Sequence, residues 1–271
     1  MRGEFLDLAG YRLYYFAAGS RGAGEPVLFL HGFPTSSYLW NGVVRCMPPG
    51  HRLIVLDQLG YGRSDRPGTA AVSVSAHGQR ALAVLDALNV PQACLVGHDL
   101  GGAVAQWIAL HAPERVTRLA LISSVGLDGW PCRRTRIARS LSAVARYLPA
   151  PLLAGEAYAS LLRGFADRDE GRHALDHFLR PFTQSAGRDA LLAHLDAQRP
   201  DETRALDLRA LRIPTAIVHG ARDPFIPAAL GRRLEAVIPG ASLDEIPEGS
   251  HFLPLDIPDR VAAAISVLLT R

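Results

Sequence analysis

Five short runs made almost wholly of apolar residues, spread over 271 positions, constrain this fold most. They are Pro26–Leu30, Leu53–Leu56, Ala93–Val96, Leu119–Ile122 and Thr215–Val218. Each is too short for a buried helix and lacks the alternation of a strand with one wet face. Each therefore reads as a strand of a parallel sheet covered on both sides. Ser73–Leu88 has apolar residues at helical spacing, and Leu100–His111 follows directly on a strand and a glycine turn. Strand alternating with helix predicts an α/β fold around a mostly parallel central sheet. Two strand-like runs open the chain, Glu4–Leu8 and Tyr11–Ala17, joined by the turn pair Ala9-Gly10. Ala241–Ile246 adds a last strand and Ile257–Leu269 a closing helix.

One stretch breaks the alternation. Residues 128–208 are helix-like throughout, punctuated by prolines at 131, 149, 151, 181 and 200. Leucine and alanine recur there on repeating faces, as packed helices require. The expected organisation is a single core, residues 1–127 and 209–271, with a helical cap inserted at 128–208.

Composition narrows the function classes. At 48% hydrophobic residues the chain can bury a sizeable core. All 29 cationic residues are arginine, yet the net charge is only +3. The densest cluster, Arg133, Arg134, Arg136 and Arg139, has no aromatic interleaving and reads as a solvated face, so nucleic acid is not an expected partner. Cys46, Cys94 and Cys132 are an odd, scattered set that suits neither a disulfide framework nor zinc-ligand spacing. No motif for a metal or organic cofactor occurs. The glycine-rich stretch from Gly19 to Gly24 precedes a strand without opening a helix, and a nucleotide site fails there. Met1-Arg2-Gly3-Glu4 leads into a strand with no apolar signal region, and no run has the length of a membrane span. The default expectation is a cytoplasmic chain with no membrane partner.

The chemistry concentrates in three motifs. Val96-Gly97-His98-Asp99-Leu100-Gly101-Gly102 lies between a strand and a helix, the context of a nucleophile elbow. Glycines flank Asp99 because so tight a turn leaves no room for a Cβ. The helix N-terminus favours an anion there. No G-x-S-x-G occurs anywhere in the chain, so a carboxylate holds the place that serine usually takes. The structural alternative is an Asp99 that merely caps the helix.

The second motif, Leu30-His31-Gly32-Phe33-Pro34 followed by Thr35 to Trp40, ends an early strand. The Phe33 N–H is expected to join the Leu100 N–H in an oxyanion hole. His31 is expected to order the loop, and Tyr38 and Trp40 to pack in the core. Third, Asp223 follows one late strand and His251 the next. Parallel strands share an end, so Asp99, Asp223 and His251 can converge on one side of the sheet. A carboxylate behind an imidazole fixes its tautomer and stabilises the imidazolium.

With these motifs the sequence resembles the α/β-hydrolase superfamily, and within it the aspartate-nucleophile branch of haloalkane dehalogenases and epoxide hydrolases. The likeness covers roughly residues 4–127 and 209–270. Gly97-His98-Asp99 matches the elbow of both families, and the loop from His31 to Trp40 is close to that of the dehalogenases. Asp57-Gln58-Leu59-Gly60-Tyr61-Gly62-Arg63-Ser64 resembles a loop found across the whole superfamily. Dehalogenases usually carry asparagine where Phe33 stands and tryptophan where Leu100 stands, and those side chains hold the departing halide. The Phe33 form is that of epoxide hydrolases, whose cap tyrosines protonate the leaving oxygen.

The resemblance thus implies a hydrolase whose Asp99 forms an alkyl ester with a small apolar substrate at an sp³ carbon. His251, paired with Asp223, then activates water. Epoxide chemistry with Tyr147 or Tyr158 as donor stands slightly ahead of halide release assisted by Trp130. An Asp/His acid–base lyase, isomerase or cyclase, or a ligand-binding protein on this fold, is the alternative outside hydrolysis.

Overall fold

The computed structural model describes residues 3–19, 24–67 and 71–271; the middle of the glycine-rich stretch and the first two residues lie outside them. Eight strands form one sheet: β1 (Gly3–Leu8), β2 (Tyr11–Ala18), β3 (Val27–Leu30), β4 (Leu53–Leu56), β5 (Ala93–His98), β6 (Val116–Ile122), β7 (Thr215–Gly220) and β8 (Ser242–Ile246). Their order is β1-β2-β4-β3-β5-β6-β7-β8. From β4 to β8 all neighbours are parallel, while β2 runs antiparallel to both β1 and β4. The apolar runs become strands buried on both faces, as their lack of alternation predicts. Val27, Leu28, Phe29 and Leu30 are all fully buried. Strand β6 begins earlier than its apolar run, at Val116 opposite Ala93 of β5, and Arg118 at its rim forms an ion pair with Glu25 at 2.6 Å.

Two cores lie on opposite faces of the sheet. Phe29 and Val55 face α1 (Asn41–Cys46), with α11 (Leu253–Asp256) and α12 (Pro258–Leu269) on the same side. Leu28 and Leu30 face α2 (Val74–Ala87), α3 (Leu100–His111) and α10 (Ala228–Val237). Ser73 caps α2 by accepting from the Ala76 N–H, which fixes where that helix starts. Between β6 and β7 stand α4 (Arg133–Ser140), α5 (Ser142–Ala145), α6 (Ala150–Leu161), α7 (Arg168–Leu179), α8 (Ser185–Asp196) and α9 (Pro200–Arg204). These helices lie over the C-terminal ends of the strands. The chain leaves β3 toward β4 on one side and later adds β5 on the other. Open α/β sheets bind ligands at such a reversal of strand order.

Candidate active site

Asp99 occupies the turn between β5 and α3 with φ 51° and ψ −121°. A side chain with a Cβ in that region costs about 1–3 kcal/mol, and the surrounding turn has to over-determine it. Here the turn does so. A Cβ on Gly97 would lie 2.4 Å from the Gly101 carbonyl oxygen, so strand and helix approach as closely as backbones allow. The Gly102 N–H donates to the Asp99 carbonyl at 3.0 Å. Asp99 makes no side-chain cap bond to its own helix, and its carboxylate instead faces the cavity.

The loop after β3 meets it there. The Phe33 N–H donates to Asp99 Oδ2 at 2.9 Å, and the Leu100 N–H sits beside the same carboxylate and favours its charge. Of the two backbone donors expected of an oxyanion hole, Phe33 thus holds the Asp99 carboxylate itself and Leu100 stands next to it. His31 orders the loop from within. Its Nδ1–H donates to the Gly32 carbonyl at 2.9 Å, and its Nε2 accepts from the Gln58 N–H at 3.0 Å. Trp40 is fully buried, and Tyr38 stacks on His177 at the edge of the core.

His251 and Asp223 come from the loops after β8 and β7. His251 Nδ1 lies 2.7 Å from Asp223 Oδ2, with both side chains out of solvent. The other oxygen, Asp223 Oδ1, accepts from the Phe225 and Ile226 N–H groups at 2.8 and 2.9 Å. The carboxylate is locked and the imidazole held in one tautomer, leaving Nε2 for chemistry. The insert completes this anchoring: the N–H groups of His251 and Phe252 donate to the Gly164 carbonyl at 2.9 and 3.2 Å. From beneath, His98 Nε2–H donates to the His251 carbonyl at 3.0 Å. Burial keeps His98 well below the usual imidazole range, so it stays neutral.

Burial pushes the Asp99 carboxyl up to about 6, against the pull of His251 and of the Leu100 and Phe33 N–H groups. Burial also disfavours a charged His251, but the Asp223 charge, its hydrogen bond and Asp99 together outweigh that and raise its pKa. Each charge shifts the other, so the two groups titrate as a pair.

A cavity of about 360 Å³ opens in front of them. Asp99, His251 and Phe33 line its floor, and its walls are mostly aliphatic side chains of α4, α5, α6 and α8. The three leaving-group donors expected from sequence are not brought to Asp99. Tyr147 is 83% exposed, and Tyr158 packs against the core outside the cavity. Trp130 does line the wall, but its indole N–H is engaged by Thr203 Oγ1 at 2.8 Å. A residue the sequence did not single out also lines the wall. Gln198, between α8 and α9, lines the cavity, is 6% exposed and has no partner for its Nε2. A lone glutamine at the end of a helix carries no signal that separates it from a surface residue.

The alpha/beta hydrolase fold model matches residues 25–258. Over 97% of this chain and 93% of its own length, haloalkane dehalogenase 2 of Mycobacterium tuberculosis is 26% identical. A 2-hydroxymuconate semialdehyde hydrolase of Pseudomonas putida is 30% identical over 98% of this chain and 94% of its own. The crystal structure of an alpha/beta hydrolase fold protein from Burkholderia ambifaria superposes with a TM-score of 0.87 at 25% identity, covering 97% of this chain and 96% of that one.

Proposed function

The chain belongs to the alpha/beta hydrolase fold family, and from that premise we propose that it hydrolyses a small, largely apolar substrate through an alkyl ester on Asp99. One observation carries the reading: a carboxylate, two backbone donors and a carboxylate-backed imidazole share the floor of one apolar cavity. A carboxylate is a poor nucleophile toward esters but an adequate one toward saturated carbon in a dry site.

The Asp99 oxygen attacks an sp³ carbon, the new C–O bond forms, and the leaving group departs with the bonding electron pair. Ester formation removes one of the charges that hold a proton on His251, so the imidazole gives up that proton and is free to act as a base. His251 Nε2 then takes a proton from water, and the hydroxide attacks the Asp99 carbonyl carbon. The tetrahedral oxyanion stays with the Phe33 and Leu100 N–H groups that already flank the carboxylate. Collapse breaks the ester bond, His251 returns the proton to the alkoxide, and the product is an alcohol.

The leaving group decides between halide and epoxide. An alkoxide needs an acid, and neither Tyr147 nor Tyr158 lines the cavity. A halide needs only N–H donors, and Gln198, whose buried amide nitrogen has no partner behind the cavity wall, can turn one toward it. The likeness to haloalkane dehalogenase 2 points the same way. Halide is therefore the leaving group we favour, from a short bromo- or chloroalkane.

Replacing His251 by phenylalanine blocks the second half of this sequence. Incubated with bromoalkanes, the variant is expected to release one equivalent of bromide and to gain the alkyl mass on Asp99. In heavy-oxygen water, a single turnover of the unaltered chain labels Asp99 before product. Bromide turnover with no adduct, or product labelled in the first turnover, sinks the covalent route. Diol formation from epoxides without any halide release moves the leaving group back to oxygen.

A further inference from the structure

Apolar surface is distributed unevenly over this molecule. Of the eight large hydrophobic side chains exposed among the described residues, six fall between Ile137 and Leu152. Ile137, Leu141, Val144 and Leu148 follow one another at helical spacing along α4, α5 and the turn beyond. Val144 is 66% exposed, and Tyr147 and Leu152 stand beside the ridge at 83% and 52%. A contiguous apolar patch of this kind is what a soluble surface avoids unless something covers it.

The segment that carries the ridge is cationic, and the nearest carboxylates in sequence, Asp128 and Glu156, stand just outside its two ends. Residues 129–155 contain Arg133, Arg134, Arg136, Arg139 and Arg146 and no acidic side chain. Arg139 donates to the Gln198 carbonyl. The other four form no ion pair among the described residues. The sequence reading of this cluster as a plain solvated face omitted the ridge between the arginines.

We propose that this face docks on an anionic lipid surface. A second copy fits poorly, since a two-fold contact through this face brings two cationic segments together with no carboxylate inside either. A nucleic acid satisfies the arginines but leaves the ridge in water. An anionic leaflet takes both, drawing the guanidinium groups to its headgroups and the aliphatic chains to the acyl boundary. No helix among the described residues is long and apolar enough to cross a membrane, so the docking is peripheral. Arg134, Leu141 and Leu148 belong to this face and also line the cavity in front of Asp99. Docking thus sets the rim of the cavity against the lipid, and an apolar substrate can pass between them without crossing water. That last step rests on the proposed function, whereas the docking does not.

The test is flotation of the full chain with vesicles of phosphatidylcholine alone or mixed with phosphatidylglycerol, at low and high salt. Partitioning is expected onto the anionic vesicles and is expected to fall with salt. The triple substitution Val144→Ser, Tyr147→Ser, Leu152→Ser and the pair Arg133→Glu, Arg136→Glu are each expected to lower it about tenfold or more. None of these residues lines the cavity. Val267→Ser, at an exposed apolar position on α12, is expected to change nothing. Circular dichroism checks that each variant is folded, and Tyr147→Ser alone gives a smaller loss if the triple variant is not. Activity on a water-soluble substrate remains in every docking variant, which separates this result from the fate of the Asp99 mechanism. Absence of partitioning onto anionic vesicles overturns the proposal, and so does partitioning that neither set of substitutions alters. A dimer in sedimentation velocity that the triple substitution dissolves assigns the face to a second copy instead, and overturns it too.

Discussion

Asp99, Asp223 and His251 hang from loops at the C-terminal ends of β5, β7 and β8, whereas Gln198, Trp130 and Leu141 reach the same cavity from the inserted segment. The two regions fix their side chains by different physics. Parallel pairing sets the strand ends to within a residue, and each sheet-borne group is then held by backbone bonds: Phe33 N–H on Asp99, Phe225 and Ile226 N–H on Asp223, and the Gly164 carbonyl on the His251 N–H. The helix-borne groups depend on how each helix is rotated in its packing, and one residue of shift turns a side chain by about 100°. On the proposed mechanism, the groups that react sit on the sheet, and those that tell one substrate from another sit on the helices.

The strongest way to break this comparison is to remove the group at the bend. Asp99→Ala is expected to lower kcat by about 10⁴-fold or more, because the cavity's other carboxylate, Glu156, lies exposed on α6 and not at the strained turn beside the Phe33 N–H. Its effect on stability depends on pH, and the sign follows from burial. The folded chain holds the Asp99 proton up to about 6, while an unfolded aspartate releases it near 3.8. Between those values the native state binds more protons, so this group's contribution to stability declines as pH rises. The variant lacks that decline. Denaturant unfolding at pH 4 and pH 7 is expected to show Asp99→Ala gaining relative to the unaltered chain at the higher pH. A constant difference places the carboxylate in water rather than in the cavity.

The same division explains what could be read in the sequence. The apolar runs marked the strands because burial on both faces leaves no polar alternation, and Leu100–His111 was bounded correctly because a glycine turn and a strand precede it. Strand order then brought three motifs far apart in sequence to one side. Gln198 and Gly164 left no such mark. A glutamine on a packed helix end looks like one on a wet helix end. A glycine whose carbonyl anchors a histidine 87 positions later looks like any glycine in a helical stretch. Tyr147 and Tyr158 drew notice as the tyrosines of the insert, but residue type does not fix the direction in which a helix faces. The exposed ridge was hidden for the same reason, since apolar periodicity is equally the signature of a buried face.

A smaller effect sharpens the comparison from the helical side. Gln198→Leu keeps roughly the volume of the side chain and removes its N–H. If the amide holds the leaving group, alkylation of Asp99 slows by about 10²-fold while breakdown of the ester is unchanged. Tyr147→Phe and Tyr158→Phe are expected to alter both steps less than twofold. Single-turnover kinetics with bromide detection separates alkylation from hydrolysis. A large loss in Tyr158→Phe with none in Gln198→Leu returns the chemistry to epoxide opening and implies that the insert closes differently around substrate.

An effect confined to one step tests whether the two regions are mechanically joined. Gly164 is where the insert touches the catalytic loops, and a Cβ there would lie 2.5 Å from the Phe225 ring and 3.2 Å from His251 Cβ. Gly164→Ala therefore has to displace the Phe225 ring or the histidine loop, and overpacking of that kind costs about 1–3 kcal/mol of stability. If His251 moves with the strain, ester hydrolysis slows while alkylation does not, because only the second step needs the imidazole placed against water. If stability falls and both steps hold their rates, the insert is a passive cover and the positions of β7 and β8 alone aim His251. Urea unfolding beside single-turnover kinetics on the same preparation distinguishes the two, and the first outcome is the one that the bond from the His251 N–H to the Gly164 carbonyl leads us to expect.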